Sequence, residues 1–355
     1  MAVLMALRAS YSRTAPVFEV LARMPDREGA LPSVVSGLEP EALVAACARH
    51  GVSAFVADAL AGVSFSGRAR LVADARATVA ASQKLKRLTL SVVDALGAVG
   101  VTPVMLKGVV LATRLYPANP LARPASDVDV LVEPGQVEVV AGALENLSLR
   151  RFVDDSLGDP FEDHHHVAFV GPPGLVEVHF RLISTLGRGL FDEDAIRRRA
   201  IESVFEGRRV LLLSAEDEFL YLAVHAANHA FLRVSWLLDL KQYLALHPSL
   251  DFLAMGERAR DAGFAQSVAV TLDLIERLLD VELPEAARAA FPARRRRGFV
   301  DSFLFSAVRV ENASWSADRL GSFALRLWLV DSPGRGLRHL VDGVARTARH
   351  ALSSH

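Results

Sequence analysis

The chain has 355 residues, enough for two or three domains, and 51% of them are hydrophobic, so a sizeable core is available. Lys and Arg total 40 against 41 Asp and Glu, a formal net charge of -1, which excludes a global basic field for drawing in nucleic acid. Cys47 is the single cysteine, which excludes an intramolecular disulfide and a cysteine-based zinc site and fits a reducing cytosol.

The opening "MAVLMALRASYSRTAP" has apolar residues but no basic stretch ahead of them, so no signal peptide is expected. "EPEALVAACARHGV" (39–52) carries apolar residues at helical spacing with Gly51 as a stop. Residues 68–100 read as one long helix or two joined ones, ending at Gly97 or Gly100. Asp94, two glycines and Pro103 interrupt the apolar stretch 88–106, so a helix followed by a buried strand is expected there rather than a membrane span.

The pattern then changes. "VTPVMLKG" (101–108) is expected as a strand, 109–116 as a short helix, and "PANPLARP" as a loop. "DVDVLVEP" (127–134) follows as a strand and 135–147 as an amphipathic helix. "HHHVAFVG" and "LVEVHFRL" form two strands around the turn "PPG" at 172–174, a hairpin. Strands stop after Val210–Leu213. "SAEDEFLYLAVHAANHAF" (214–231) opens with Ser214 as N-cap and Asp217 three residues on, close to a capping box. Helical patterns continue to the end of the chain. The expected organisation is a helical N-terminal region (1–85), a mixed α/β core (86–213) and a helical C-terminal region (214–355).

Chemistry-bearing residues concentrate in the core. Asp127 and Asp129 are two apart at a strand start, so they share one face while Val128, Val130 and Val132 share the other. Asp is depleted in strands, and two adjacent carboxylates repel unless a positive group lies between them. A hard divalent cation such as Mg²⁺ fills that need, since it takes oxygen ligands and substrate phosphates. A solvated strand end, with Ser126 and Asp127 in a turn, is the alternative. Lys107 and Gly108 stand where a strand gives way to a helix. There, backbone N–H groups and a lysine suit a phosphate, while an ordinary turn with a surface lysine is the alternative. Glu177 and His179 again share a strand face, as metal ligand, general base or substrate contact, or as one side of a half-exposed hairpin. Arg123 and Arg114 are further candidates to neutralise a triphosphate.

Together these stretches resemble a known arrangement. A strand, turn, helix and D-x-D strand, with a later acidic residue on another strand, look like the nucleotidyltransferase fold of the DNA polymerase β superfamily. "VMLKGVVLATRLYPANPLARPASDVDVLV" resembles the signature of the bacterial family of uncharacterised nucleotidyltransferases. "LVEVHFRL" is similar to that family's acidic strand, with Phe180 where Trp is usual, and "LAVHAANHAFLRVSWLLDL" (222–240) to its C-terminal helix pair. The chain also resembles AbiEii/MenT-type toxins, and Lys107-Gly108 replaces the Gly-Ser turn of ordinary polymerase-β enzymes. The resemblance implies an α+β fold, a mixed-sheet core flanked by helical N- and C-terminal regions. It implies an enzyme transferring NMP from an NTP, ATP among the candidates, to a hydroxyl of a small molecule, peptide or protein, and the cysteine usage fits a cytoplasmic location. Mg²⁺ or Mn²⁺ would be held by Asp127, Asp129 and Glu177, and the nucleotide by Lys107, Gly108, Arg123, Ser126 and His179. Toxin-type transfer to a tRNA 3′ end and a non-catalytic nucleotide-binding scaffold are the alternatives.

Other features carry plainer readings. Adjacent histidines on a strand alternate faces, so of the run 164–166 only His164 and His166 are expected to act together. His225 and His229 are four apart on a helix, a zinc-compatible spacing without an evident third ligand, and Asp239 could orient one of them. Arg294–Arg297 reads as a solvated face, with RNA contact as the minor alternative, and 335–355 as a basic amphipathic helix. Asp163 and Glu162 stand next in line should Glu177 point away.

Overall fold

The structure, a computed structural model, describes residues 39–152, 165–185, 188–189, 191–229, 231–292 and 331. In chain order the helices are α1 (Pro40–His50), α2 (Ser53–Ala59), α3 (Arg68–Ala98), α4 (Gly108–Leu115), α5 (Val137–Glu145), α6 (Glu193–Arg199), α7 (Ala215–Asn228), α8 (Val234–Leu246), α9 (Phe252–Ala262), α10 (Ala265–Leu279) and α11 (Glu285–Ala290). The strands are β1 (Val104–Met105), β2 (Val128–Leu131), β3 (Arg150–Arg151), β4 (His166–Gly171), β5 (Gly174–His179), β6 (Ser184–Thr185), β7 (Arg188–Gly189), β8 (Ile201–Phe205) and β9 (Arg208–Leu212). The fold is α+β, as expected.

The chain divides into two compact units. Among the described residues, one comprises 80–121 and 125–221; the other comprises 39–79, 122–124 and the residues from 222 onward. The helical stretches before and after the core thus belong to a single unit.

The first unit is built on a mixed sheet of seven strands in the order β3-β4-β5-β2-β1-β9-β8. β2 runs antiparallel to β1 and parallel to β5, and β1 runs parallel to β9. The alternating sequence of β2 and β5 decides which faces they present. Val128, Val130, Val132, Val176, Val178 and Phe180 all enter one hydrophobic core with Val92, Leu96, Val140, Leu144 and Phe169. Each such side chain contributes about 1.5–3 kcal/mol on burial, enough to fix the strands' orientation even though Asp129, Glu177 and His179 are forced onto the opposite face.

The hairpin expected at 172–174 is present, β4 pairing with β5 from Gly171↔Gly174 to His166↔His179. α3 is one uninterrupted helix. Ser214 caps α7, its Oγ accepting from Asp217 N at 3.2 Å. The strand expected over 101–108 shrinks to two residues. Pro103 has no N–H to donate to a ladder, and α4 begins at Gly108. The hairpin β8–β9 escaped the pattern reading. Its signal is the dipeptide Glu206-Gly207, both at positive φ (49° and 80°), between two strand-like runs.

The second unit is helical. α8 and α9 each pack against α10, and α11 packs on α9. Leu237, Leu238, Tyr243, Met255, Val268 and Ile275 are buried. Among the described residues, no helix is long and apolar enough to cross a membrane.

Candidate functional site

The strand alternation that buries six apolar side chains leaves a polar cluster on the other face of the sheet. The parallel register of β2 and β5 pairs Asp129 with Glu177 and Leu131 with His179. Residues paired in this way project side by side, so two separate D-x-D and E-x-H alternations meet.

Asp129 is the centre of the cluster. One of its oxygens, Oδ1, lies 3.0 Å from His179 Nε2 and 3.2 Å from Lys107 Nζ. His179 Nε2 is also 3.4 Å from Glu177 Oε2, and Glu177 Oε1 is 3.6 Å from His166 Nε2. Asp129 and His179 are almost fully buried, Lys107 nearly so, and Glu177 is 20% exposed. The second Asp129 oxygen, Oδ2, is buried without a hydrogen-bond partner among the described residues. A carboxylate normally fills its acceptor sites when buried, so this oxygen is open to a cation or a hydrogen-bond donor.

The protonation balance follows from these contacts. Burial alone raises the Asp129 carboxyl, but the Lys107 ammonium and the His179 bond outweigh it and hold the group ionised well below the usual carboxylate range. Asp127 moves the other way. Burial and then the Asp129 charge push it up to about 6, against the pull of Lys107. Burial lowers His179, yet its bonds to Asp129 and Glu177 reverse this and raise it overall. Glu177 is lowered, because the His179 bond and the His166 charge overcome its burial. Lys107 is raised in the same sense, by Asp129 against burial.

Lys107 is held at the turn between β1 and α4. Gly108, the first residue of α4, has φ +64°, a left-handed conformation that L side chains adopt at a cost. A Cβ there would meet the Asp127 carbonyl oxygen at 3.4 Å, so the turn and the D-x-D segment approach closely. Ser126 Oγ donates to Asp127 Oδ1 at 3.3 Å. Tyr221 on α7, fully buried, has its ring centroid 5.9 Å from Lys107 Nζ. Sequence reasoning missed it, because a tyrosine on an apolar helix face carries no local sign of a lysine neighbour.

The two arginines have other partners. Arg114 contacts the buried Glu218 of α7 through both terminal nitrogens, at 2.8 and 2.5 Å. Arg123, in the helical unit, is itself buried. It donates to both oxygens of Asp239 on α8, from Nε at 3.0 Å and from Nη2 at 2.8 Å. Asp239 therefore serves Arg123. His225 and His229 pack on each other and on Trp236, with ring centroids 4.4–5.3 Å apart. Among the described residues no third ligand joins them at metal-binding distance.

One expectation about the histidine run is corrected. His165 and His166 do not diverge; their ring centroids are 4.5 Å apart. His165 stands at a bend before β4 begins, where strand alternation does not apply. His164, Asp163, Glu162, Arg294–Arg297, the N-terminal stretch and 335–355 lie outside the described residues.

Lys107, the Gly108 turn, Asp129 on β2 and Glu177 on its parallel neighbour β5 thus lie together on one side of the sheet. The model of the uncharacterised nucleotidyltransferase family matches residues 36–280, more than half of the chain. The protein belongs to that family of transferases, whose substrate class is the nucleoside triphosphate. No curated protein and no solved structure matches the chain significantly.

Proposed function

We propose that the protein is a Mg²⁺- or Mn²⁺-dependent nucleotidyltransferase that moves NMP from an NTP, such as ATP, to a hydroxyl of a small molecule, peptide or protein. The observation that carries this reading is the convergence of Asp129, Glu177 and His179, whose ligand atoms lie within 4.8 Å of one another beside a buried Asp129 oxygen that has no hydrogen-bond partner among the described residues. These donors fit a divalent cation: two are carboxylates, the ligand type hard cations take. Asp127, raised by burial and by the Asp129 charge, gains most from such a cation.

In this reading Asp127, Asp129 and Glu177 hold the ion, which supplies positive charge to the triphosphate and to departing pyrophosphate. Lys107, Gly108 and Ser126 face the phosphates, Lys107 as a point charge and Gly108 through an approachable backbone. His179 fixes the Asp129 carboxylate by its 3.0 Å bond. Glu177 accepts the acceptor hydroxyl's proton as that oxygen bonds to the α-phosphorus and the bond to pyrophosphate breaks. Arg123 acts at one remove: with its guanidinium committed to Asp239, it anchors the segment preceding the D-x-D strand and is not a direct phosphate ligand.

The test incubates the protein with each α-labelled NTP and Mg²⁺, with and without lysate fractions. A labelled acceptor that disappears in Asp129→Asn supports the reading. No transfer and no Mg²⁺-dependent NTP binding under any of these conditions overturns it.

A further inference from the structure

His165, His166 and His179 form a second cluster that shares His179 with the carboxylate site, while the proposed nucleotidyl transfer uses neither His165 nor His166. The cross-strand register sets His166 opposite His179, so both project from one face. The His165 carbonyl accepts from Phe180 N and Arg181 N, at 3.0 and 3.2 Å, which ties its backbone to the end of β5. The ring centroids are 4.5 Å apart for His165–His166, 5.1 Å for His166–His179 and 5.4 Å for His165–His179. One nitrogen from each ring lies within 4.8 Å of the other two.

We propose that His165, His166 and His179 form a binding site for a borderline divalent transition metal, Zn²⁺ foremost, separate in donor chemistry from the carboxylate site. Three imidazoles suit zinc, cobalt, nickel or copper, whereas Mg²⁺ selects oxygen. Zn–N bonds of about 2.0–2.1 Å put neighbouring nitrogens of a tetrahedral ion roughly 3.4 Å apart, so the rings need close by little more than about 1 Å. His165 and His166 are half-exposed, which gives both the freedom to close and a path for the ion from solvent.

The surroundings have the form of a metal centre's supporting shell. Metal-bound histidines commonly use their second nitrogen on a carboxylate, and His179 bonds Asp129 through Nε2 while its buried Nδ1 has no hydrogen-bond partner among the described residues. Glu177, 3.6 Å from His166 Nε2, is an additional oxygen donor beside the cluster, and water can take the remaining position. This inference does not depend on the nucleotidyltransferase reading.

The test uses the full-length, tag-free, metal-stripped protein titrated with Co²⁺, whose visible absorption reports tetrahedral coordination. One equivalent should produce the tetrahedral band, one equivalent of Zn²⁺ should bleach it, and millimolar Mg²⁺ should leave it unchanged. His165→Ala and His166→Ala should each weaken Co²⁺ binding at least tenfold, while His225→Ala and Asp127→Asn retain the band. Absence of the band in the wild-type protein, its loss on adding Mg²⁺, or its survival in the His165→Ala/His166→Ala double variant overturns the proposal. His165→Gln and His166→Gln serve the same purpose should the alanine variants not fold.

Discussion

Arg123 and Asp239, 116 residues apart in the chain, form a buried bidentate ion pair that ties the segment before the D-x-D strand to helix α8. Both side chains are almost fully buried, at 6% and 2% exposure. In that setting the attraction is strong, but each ion is costly to leave alone. Arg123→Ala or Asp239→Ala should therefore destabilise the protein by about 3–5 kcal/mol in urea unfolding. The double change Arg123→Met/Asp239→Leu should recover most of that loss, because no charge is left buried. Single variants within about 0.5 kcal/mol of wild type would show that water screens the pair.

Asp127 makes stability depend on pH in a definite direction. Its carboxyl is pushed up to about 6 in the folded protein from an ordinary 3.8. Between those values the folded state keeps a proton that the unfolded state has released, so this group's contribution to stability falls as pH rises from about 4 to 6. Asparagine does not titrate. The Tm of Asp127→Asn minus that of wild type, both metal-free, should be near zero below pH 4, rise through this window and level off above pH 7. A difference that stays flat from pH 4 to 8 contradicts the assignment.

Lys107 separates phosphate recognition from packing. A charge-assisted bond is worth about 1.5–3 kcal/mol, so Lys107→Ala should weaken Mg²⁺–NTP binding roughly ten- to a hundredfold. Nucleoside binding should change much less. The variant also leaves buried Asp129 without its ammonium partner, so its Tm should fall, and adding Asp129→Asn should restore part of it. Equal losses for NTP and nucleoside would assign Lys107 to packing alone.

Gly108 tests the backbone of the same turn. At φ +64° an alanine carries the left-handed penalty of about 1–2 kcal/mol. Gly108→Ala should lower stability by that amount and weaken triphosphate binding as the turn shifts. A fully stable variant would mean that the turn relaxes into another conformation.

Cys47 should be chemically silent. It is fully buried, and burial pushes its thiol up to about 12. Since the thiolate is the reactive form, iodoacetamide at pH 8 should label the native protein negligibly and the urea-unfolded protein completely. Rapid native labelling would show that α1 opens readily.

Local sequence was sufficient for most of the elements, though not for the β8–β9 hairpin or the length of β1, and for the polar and apolar faces of β2 and β5. The alternation V-D-V-L-V sends three valines to one side and Asp129 to the other, and V-E-V-H-F does the same for Glu177 and His179, because strand side chains repeat every two residues. Ser214 before an apolar helical pattern foretold a cap for the same local reason. Partners were another matter. Only the parallel pairing of β2 with β5 sets Asp129 beside Glu177, and that register follows from which apolar faces can be buried together across the sheet. His165 joins His166 and His179 because a bend at the start of β4 breaks the alternation on which the one-dimensional reading depends. Arg123 finds Asp239, and Lys107 finds Asp129, because a charge removed from water must be met by an opposite one, and the chain can bring that partner from any distance in sequence.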